Sequence, residues 1–315
     1  MDQILEIADN IQDGAPVAGI AYVHNVETRT TRTGKPFVTG SIITPRGTLP
    51  FKQWDTTSLD PGVYQLTGKW NVYNDTGSVI INHTEPAEGY AATDFFPTPY
   101  DLTNLRRNMN ILLREHLSDK GRELFNLLLD GDGTTEVPSL KDGFMHEFAA
   151  IWHHDNVPLG LLAHSYKTGV ITVRILENPL RSFHEYSHDW KDVVLVGAIL
   201  HDLGKVLEYQ DGEMSATGRY VSHRTLMVMR AARLKDRIVA LYGEDLYLDL
   251  VSIFAQHHGA YEETPRTLAA VLVHLADDMD AKLTSLDEAV SNTTGPTVKA
   301  LDFKITLGNI QHTED

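Results

Sequence analysis

Seven side chains able to ligate a metal, His164, His201, Asp202, His223, His257, His258 and Asp277, stand in or beside apolar stretches of this chain. The most informative stretch is Val196-Gly-Ala-Ile-Leu-His201-Asp202-Leu-Gly-Lys205, which sets an imidazole next to a carboxylate at the end of an apolar helix. A buried charge there is costly unless it is paired or bound to a metal. Adjacent helical residues point about a quarter-turn apart. Both can therefore reach one ion only near the helix end, which leaves Asp202 able to bridge a second. Imidazole and carboxylate suit Mn, Fe, Zn, Ni and Co alike. Two such ions about 3.5–4 Å apart can clamp a phosphoryl group and activate a water between them. The chemistry to expect is metal-assisted phosphoester hydrolysis.

The His-Asp pair also occurs at His154-Asp155, beside Asn156 and Pro158 as in a loop, and at His188-Asp189, after Glu-Tyr-Ser as at a helix start. Only His201-Asp202 closes a long apolar run. In Val273-His-Leu-Ala-Asp277-Asp-Met-Asp280, helical spacing puts Val273, Asp277 and Asp280 on one side, so Asp277 competes with Asp278 and Asp280. His153, His154 and His274 read as structural or supporting neighbours.

Stepping from the ligands to the chain that carries them, 315 residues leave room for two domains. Without cysteine there are no disulfides, no thiol catalysis and no cysteine-bound zinc. The acidic N-terminus lacks the layout of a signal peptide and no apolar run approaches membrane-spanning length, so a cytoplasmic, membrane-free protein is expected. The formal net charge of -16 rules out polyanion binding by the global field. Any nucleic acid must be held by local basic groups, stacking or bound cations.

Five short runs bounded by Gly, Pro and Asn turns read as strands: Val17–Glu27, Pro36–Ile43, Thr48–Trp54, Val63–Val72 and Ser78–His83. They predict a small OB-like barrel over residues 1–89. The basic loop between the first two strands carries Arg29, Arg32 and Lys35, placed for phosphate contacts. Phe37, Trp54, Trp70 and Tyr73 could stack bases or fill the barrel core. Residues 90–99 read as a linker. From Tyr100 the apolar period turns helical, over 105–117, 121–129, 144–153, 161–176, 190–200, 222–234, 246–256 and 267–283. The class is α+β and multidomain: a barrel, an all-α domain over 100–291, and an extension over 292–315 that could be strand or arm.

The ordered series His164, His201-Asp202, His223, His257-His258, Asp277 resembles the HD-domain phosphohydrolases, in the variant with extra histidines. Further segments resemble the YhaM-type 3′–5′ exoribonucleases, which join an OB-fold to an HD domain. They are Gly34-Lys-Pro-Phe-Val-Thr, Phe51-Lys-Gln-Trp-Asp, Thr217-Gly-Arg-Tyr-Val-Ser-His223 and Gln256-His-His-Gly259. The resemblance implies one ion on His164, His201, Asp202 and Asp277 and another on Asp202, His223, His257 and His258. It favours Asp277 among the three aspartates, and it turns Lys205 towards a substrate phosphate beside the catalytic Asp202. The implied cofactors are two divalent ions, manganese first, with Fe, Ni, Co, Zn or Mg as alternatives. The implied activity is 3′–5′ exonucleolytic cleavage of single-stranded RNA or DNA by a two-metal-activated water. Two other readings stay open: a nucleotide or cyclic-nucleotide phosphohydrolase whose barrel serves assembly, and a non-catalytic nucleic-acid-binding protein. Assembly into a homo-oligomer is compatible with all three.

Overall fold

The computed structural model describes residues 3–8, 11–73, 76–90, 94–150, 157–210, 213–259, 263–291, 293 and 295–307. The chain divides into two compact units, Met1–Pro99 and Tyr100–Asp315.

In the first unit β1 (Pro16–Thr30), β2 (Pro36–Thr44), β3 (Gly47–Trp54), β4 (Gly62–Tyr73) and β5 (Thr76–Pro86) close a barrel in the order β1-β2-β3-β5-β4. β1 is antiparallel to both β2 and β4, while β3 and β5 run parallel, the arrangement expected of an OB-like barrel. β1 shows no alternation from Ile20 to Val23 because both its faces are covered. Val17, Ala21 and Val23 fill the barrel with Val38, Ile42, Phe51, Leu66, Val79 and Ile81. Ile20 and Tyr22 pack on the other side against Ile43 and Phe95. Phe95 belongs to the stretch expected as a linker, yet it is fully buried, since an aromatic ring gains more against this wall than in water.

Two further details depart from expectation. β1 continues through Thr30, paired with Pro36, so the basic loop shrinks to residues 31–35 and Arg29 lies on the strand. Trp70, expected among the nucleic-acid contacts, is a core residue at 9% exposure. Its ring lies over Gly77, where an added Cβ would sit 2.0 Å from a ring carbon.

The second unit is helical: α1 (Leu102–His116), α2 (Asp119–Asp130), α3 (Lys141–His146), α4 (Gly160–Leu176), α5 (His188–Leu200), α6 (Lys205–Glu208), α7 (His223–Arg233), α8 (Lys235–Tyr242), α9 (Glu244–Gln256) and α10 (Leu268–Ser291). β6 (Tyr209–Gln210) pairs with β7 (Glu213–Met214), and β8 (Thr297–Ala300) pairs with β9 (Phe303–Thr306) in the extension. The helix expected over 144–153 ends at His146; Phe148 to Ala150 stay buried but are not helical. His153, His154 and Asp155 lie outside the described residues. Ser187, not His188, caps α5, its hydroxyl accepting from the Trp190 N–H at 3.2 Å.

α5 is the central helix, packed by α2, α4, α9 and α10. Every residue from Asp192 to Leu200 is buried. Each Val, Leu or Ile so buried contributes about 1.5–3 kcal/mol. Together they outweigh the several kcal/mol that it costs to carry a carboxylate inside at the helix end.

Truncating Trp70 to Ala should destabilise the barrel by about 3–5 kcal/mol. Trp54→Ala, at a position 45% exposed, should cost under about 1 kcal/mol. Urea unfolding followed by circular dichroism checks the contrast, and equal losses would contradict the burial described.

Candidate metal centre

Four helix ends and the interior of a fifth helix deliver the site. α5 stops at Leu200, and His201 and Asp202 occupy the turn that follows. His164 lies in the first turns of α4. The opening N–H groups of that helix go to carbonyls rather than to a side-chain cap: Leu159 donates to His146 at 3.2 Å and Leu161 to Glu147 at 3.1 Å. His223 opens α7, His257 and His258 follow α9, and Asp277 lies within α10. Gly204 lets α7 come this close, because a Cβ there would stand 2.2 Å from the His223 carbonyl oxygen.

Asp202 divides the site between its two oxygens. Oδ2 lies 3.3 Å from His201 Nε2 and 3.5 Å from His164 Nε2. Oδ1 lies 3.3 Å from His223 Nε2 and 3.5 Å from His257 Nε2. Within the first half the two Nε2 atoms are 3.2 Å apart, and Asp277 Oδ1 is 3.2 Å from that of His164 and 3.6 Å from that of His201. Within the second, His223 Nε2 and His258 Nε2 are 3.3 Å apart.

In four of the five histidines the other ring nitrogen is occupied. His164 Nδ1 pairs with Asp280 Oδ2 at 2.7 Å, His223 Nδ1 with Glu208 Oε2 at 2.7 Å, and His201 Nδ1 with the Ala198 carbonyl at 2.7 Å. His257 Nδ1 reaches the Ile253 carbonyl at 3.2 Å. Acceptors at Nδ1 place the proton there and turn the Nε2 lone pair inward, which is how metal-binding histidines are held. Asp202 Oδ1 and His257 Nε2 are buried with no hydrogen-bond partner, a cost that a bound cation removes. Ligands about 2.0–2.2 Å from one ion stand roughly 3–3.5 Å from one another, close to the separations seen here. Donor types, inward lone pairs and spacing all fit a divalent metal. Among the described residues, the two groups that could hold one are His164, His201 and Asp202, and Asp202, His223, His257 and His258.

The two halves differ electrostatically. Burial disfavours a charged His201, but Asp202 and Asp277 outweigh it and raise its pKa to about 10. His164 is also raised, with Asp277 and Asp280 overcoming burial. In the other half burial and then the neighbouring imidazoles press His257 down to about 4 and His258 to about 3. Asp202 and Asp277 are driven well below the ordinary carboxylate range, burial being overcome by Lys205 and His201 at the first and by His164 and His201 at the second. The His257–His258 half therefore offers neutral bases at pH 7. The His164–His201 half must give up protons to a metal.

Lys205 Nζ donates to Asp202 Oδ2 at 2.5 Å. Of the three competing aspartates, Asp277 faces His164 and His201, Asp280 is buried behind His164, and Asp278 pairs outward with Lys282 at 2.6 Å. His274 donates from Nδ1 to the His257 carbonyl at 2.7 Å and so steadies the His257–Gly259 turn. Glu208 escaped the sequence reading; it also accepts from the His223 N–H at 3.1 Å, so one carboxylate caps α7 and orients its first side chain. The available signal was an acid directly after Val206-Leu207, where burial demands a partner.

In the barrel, the register aligns Arg29 with Phe37 and Phe37 with Trp54 across three strands. The Phe37 and Trp54 rings are 4.9 Å apart and Trp54 is exposed. Arg29 pairs with Glu27 at 2.7 Å, while Arg32 and Lys35 are exposed in the adjoining turn.

The HD domain family matches residues 161–282, the span that carries every ligand of the cluster. Residues 161–282 form an HD domain. HD domains bind divalent metals. The wider chain is similar to proteins named 3′–5′ exoribonuclease YhaM. It is 25% identical to that of Listeria monocytogenes serotype 4b (strain CLIP80459) over 84% of each chain. Against that of Oceanobacillus iheyensis it is 24% identical over 88% of this chain and 87% of the relative. A solved chain from a replication protein A heterotrimer bound to ssDNA is 21% identical, covering 27% of this chain and 66% of its own, at a TM-score of 0.22. That similarity is too slight to bear on the HD domain or the barrel.

Glu208→Ala should weaken divalent-metal binding by about 10- to 100-fold, whereas Glu208→Gln, which keeps an acceptor oxygen, should lose less. Isothermal titration with Mn²⁺ distinguishes them; equal losses would mean that Glu208 acts through its charge alone. In the wild type, uptake at neutral pH should release protons, and affinity should fall as pH is lowered. Uptake that is independent of pH would contradict the protonated His164–His201 half.

Proposed function

We propose that this chain is a metal-dependent phosphodiesterase that removes nucleotides in the 3′–5′ direction from single-stranded RNA, with DNA as the alternative substrate. One observation carries the reading: two clusters of inward-facing imidazole Nε2 atoms share the two oxygens of a single buried carboxylate. The relatives' names support nucleic acid as the substrate and the polarity of cleavage.

His164, His201, Asp202 and Asp277 would hold one divalent ion and Asp202, His223, His257 and His258 the other, with Mn favoured over Fe, Ni, Co, Zn or Mg. Bound there, the ions would supply Lewis acidity at the phosphoryl oxygens and an activated water. Asp202 holds both halves in register. Glu208 and Asp280 keep the His223 and His164 lone pairs turned inward. The Lys205 ammonium, poised on Asp202, would turn to the phosphate and offset the charge that builds during attack. On the barrel, Trp54 with Phe37 would offer a stacking face, and Arg29, Arg32 and Lys35 would meet phosphates. In so acidic a chain, stacking would contribute as much as charge.

Incubating Mn²⁺-loaded protein with 5′-labelled RNA, single-stranded DNA, dNTPs and cyclic dinucleotides tests the proposal. The expected result is a ladder of 5′-labelled products shortening from the 3′ end, absent in Asp202→Asn. Hydrolysis of the small nucleotides alone would favour the nucleotide phosphohydrolase instead, and binding of a strand without cleavage would favour the non-catalytic reading. Trp54→Ala should raise KM for RNA about 5- to 150-fold, from the roughly 1–3 kcal/mol of a stacked base. It should leave bis-p-nitrophenyl phosphate hydrolysis unchanged.

A further inference from the structure

The outward face of α1 is basic in an acidic chain. Leu105, Met109 and Leu112 bury the inner face, and Arg106, Arg107 and Arg114 are exposed on the other. Helix stability accounts for Arg114, a cation in the last turn, but not for Arg106 and Arg107. None of the residues three or four positions from Arg106 or Arg107 within α1 is acidic, so neither has an intrahelical ion pair to make. Among the described residues neither forms a salt bridge with any other element. Arg114, among the described residues, reaches only the adjoining Glu115, at 3.4 Å with both groups exposed, a geometry worth little. The first turn of the helix holds no acid either. With Thr103, Asn110 and Ile111 the three arginines form one open, exposed side of the helix.

This stripe, whose helix carries acids only at the N-cap Asp101 and at Glu115, offers a local positive charge within a chain of net charge -16 and is complementary to a polyanion. Arg106 and Arg114 are about 12 Å apart along the helix axis, enough to meet more than one phosphate of a strand. We propose that this stripe docks the phosphate backbone of single-stranded nucleic acid and supplies a local charge that the chain as a whole lacks. The inference rests on the reading that the substrate is nucleic acid. It adds a binding surface on the helical unit.

The test uses the full chain with metal bound and a fluorescent oligoribonucleotide with hydrolysis-resistant phosphorothioate linkages. Anisotropy is measured across a salt series. The triple variant Arg106→Gln, Arg107→Gln, Arg114→Gln keeps near-equal helix propensity, and its thermal melt verifies the fold. Each lost phosphate contact removes about 0.7 from the slope of log K against log salt for single strands. The slope should therefore flatten by about 2 while bis-p-nitrophenyl phosphate hydrolysis is unchanged. An unaltered slope in a variant that still folds overturns the proposal. So does a drop in oligomeric mass without a change of slope, which would assign the stripe to contact with a second copy. A wild-type protein that binds and cleaves no strand would instead fail the nucleic-acid reading itself, and this inference with it.

Discussion

Asp202 is the constraint around which the helical unit is arranged. Its side chain is 3% exposed and each of its oxygens faces two imidazoles. A carboxylate so enclosed would be expelled or protonated unless positive charge surrounded it. Lys205, the raised pKa values of His164 and His201, and the proposed metal ions all answer that one demand. The apolar mass of α5 carries the charge inward. The helix ends facing it then have little freedom in what they present.

Those helix ends do more than approach. Glu208 and Asp280 pin two imidazoles from behind, one in each half of the cluster. Backbone carbonyls do the same for His201 and His257. Carboxylate partners raise ligand basicity more than carbonyls do, so each half combines a strongly and a weakly supported histidine. Gly204 and the His274-braced turn at Gly259 supply the close approaches that bring α7 and the end of α9 to the same point.

Much of this was legible in the chain. The change from two-residue to helical periodicity near Tyr100 marked the two architectures, and β-turn residues marked the barrel strands to within a few positions. The order of His and Asp residues at helix ends pointed to side chains that do converge in the structure. What stayed hidden depended on tertiary partners. Trp70 reads the same whether its ring lies on a barrel or inside it, and only Gly77 across the strand pair decides. Phe95 sits in a Pro- and Thr-rich stretch, and its burial follows from a bare outer face on β1 that no local pattern reveals. Glu208 and Asp280 are single acids whose partners lie 15 and 116 residues away. The helix predicted through His153 stops at His146.

The most direct test of the account is anomalous diffraction from crystals of the full chain grown with Mn²⁺, with data collected at the manganese edge. The account predicts two anomalous peaks, one on each side of Asp202: one among His164, His201 and Asp277, the other among His223, His257 and His258. A single peak, or peaks away from Asp202, would contradict it.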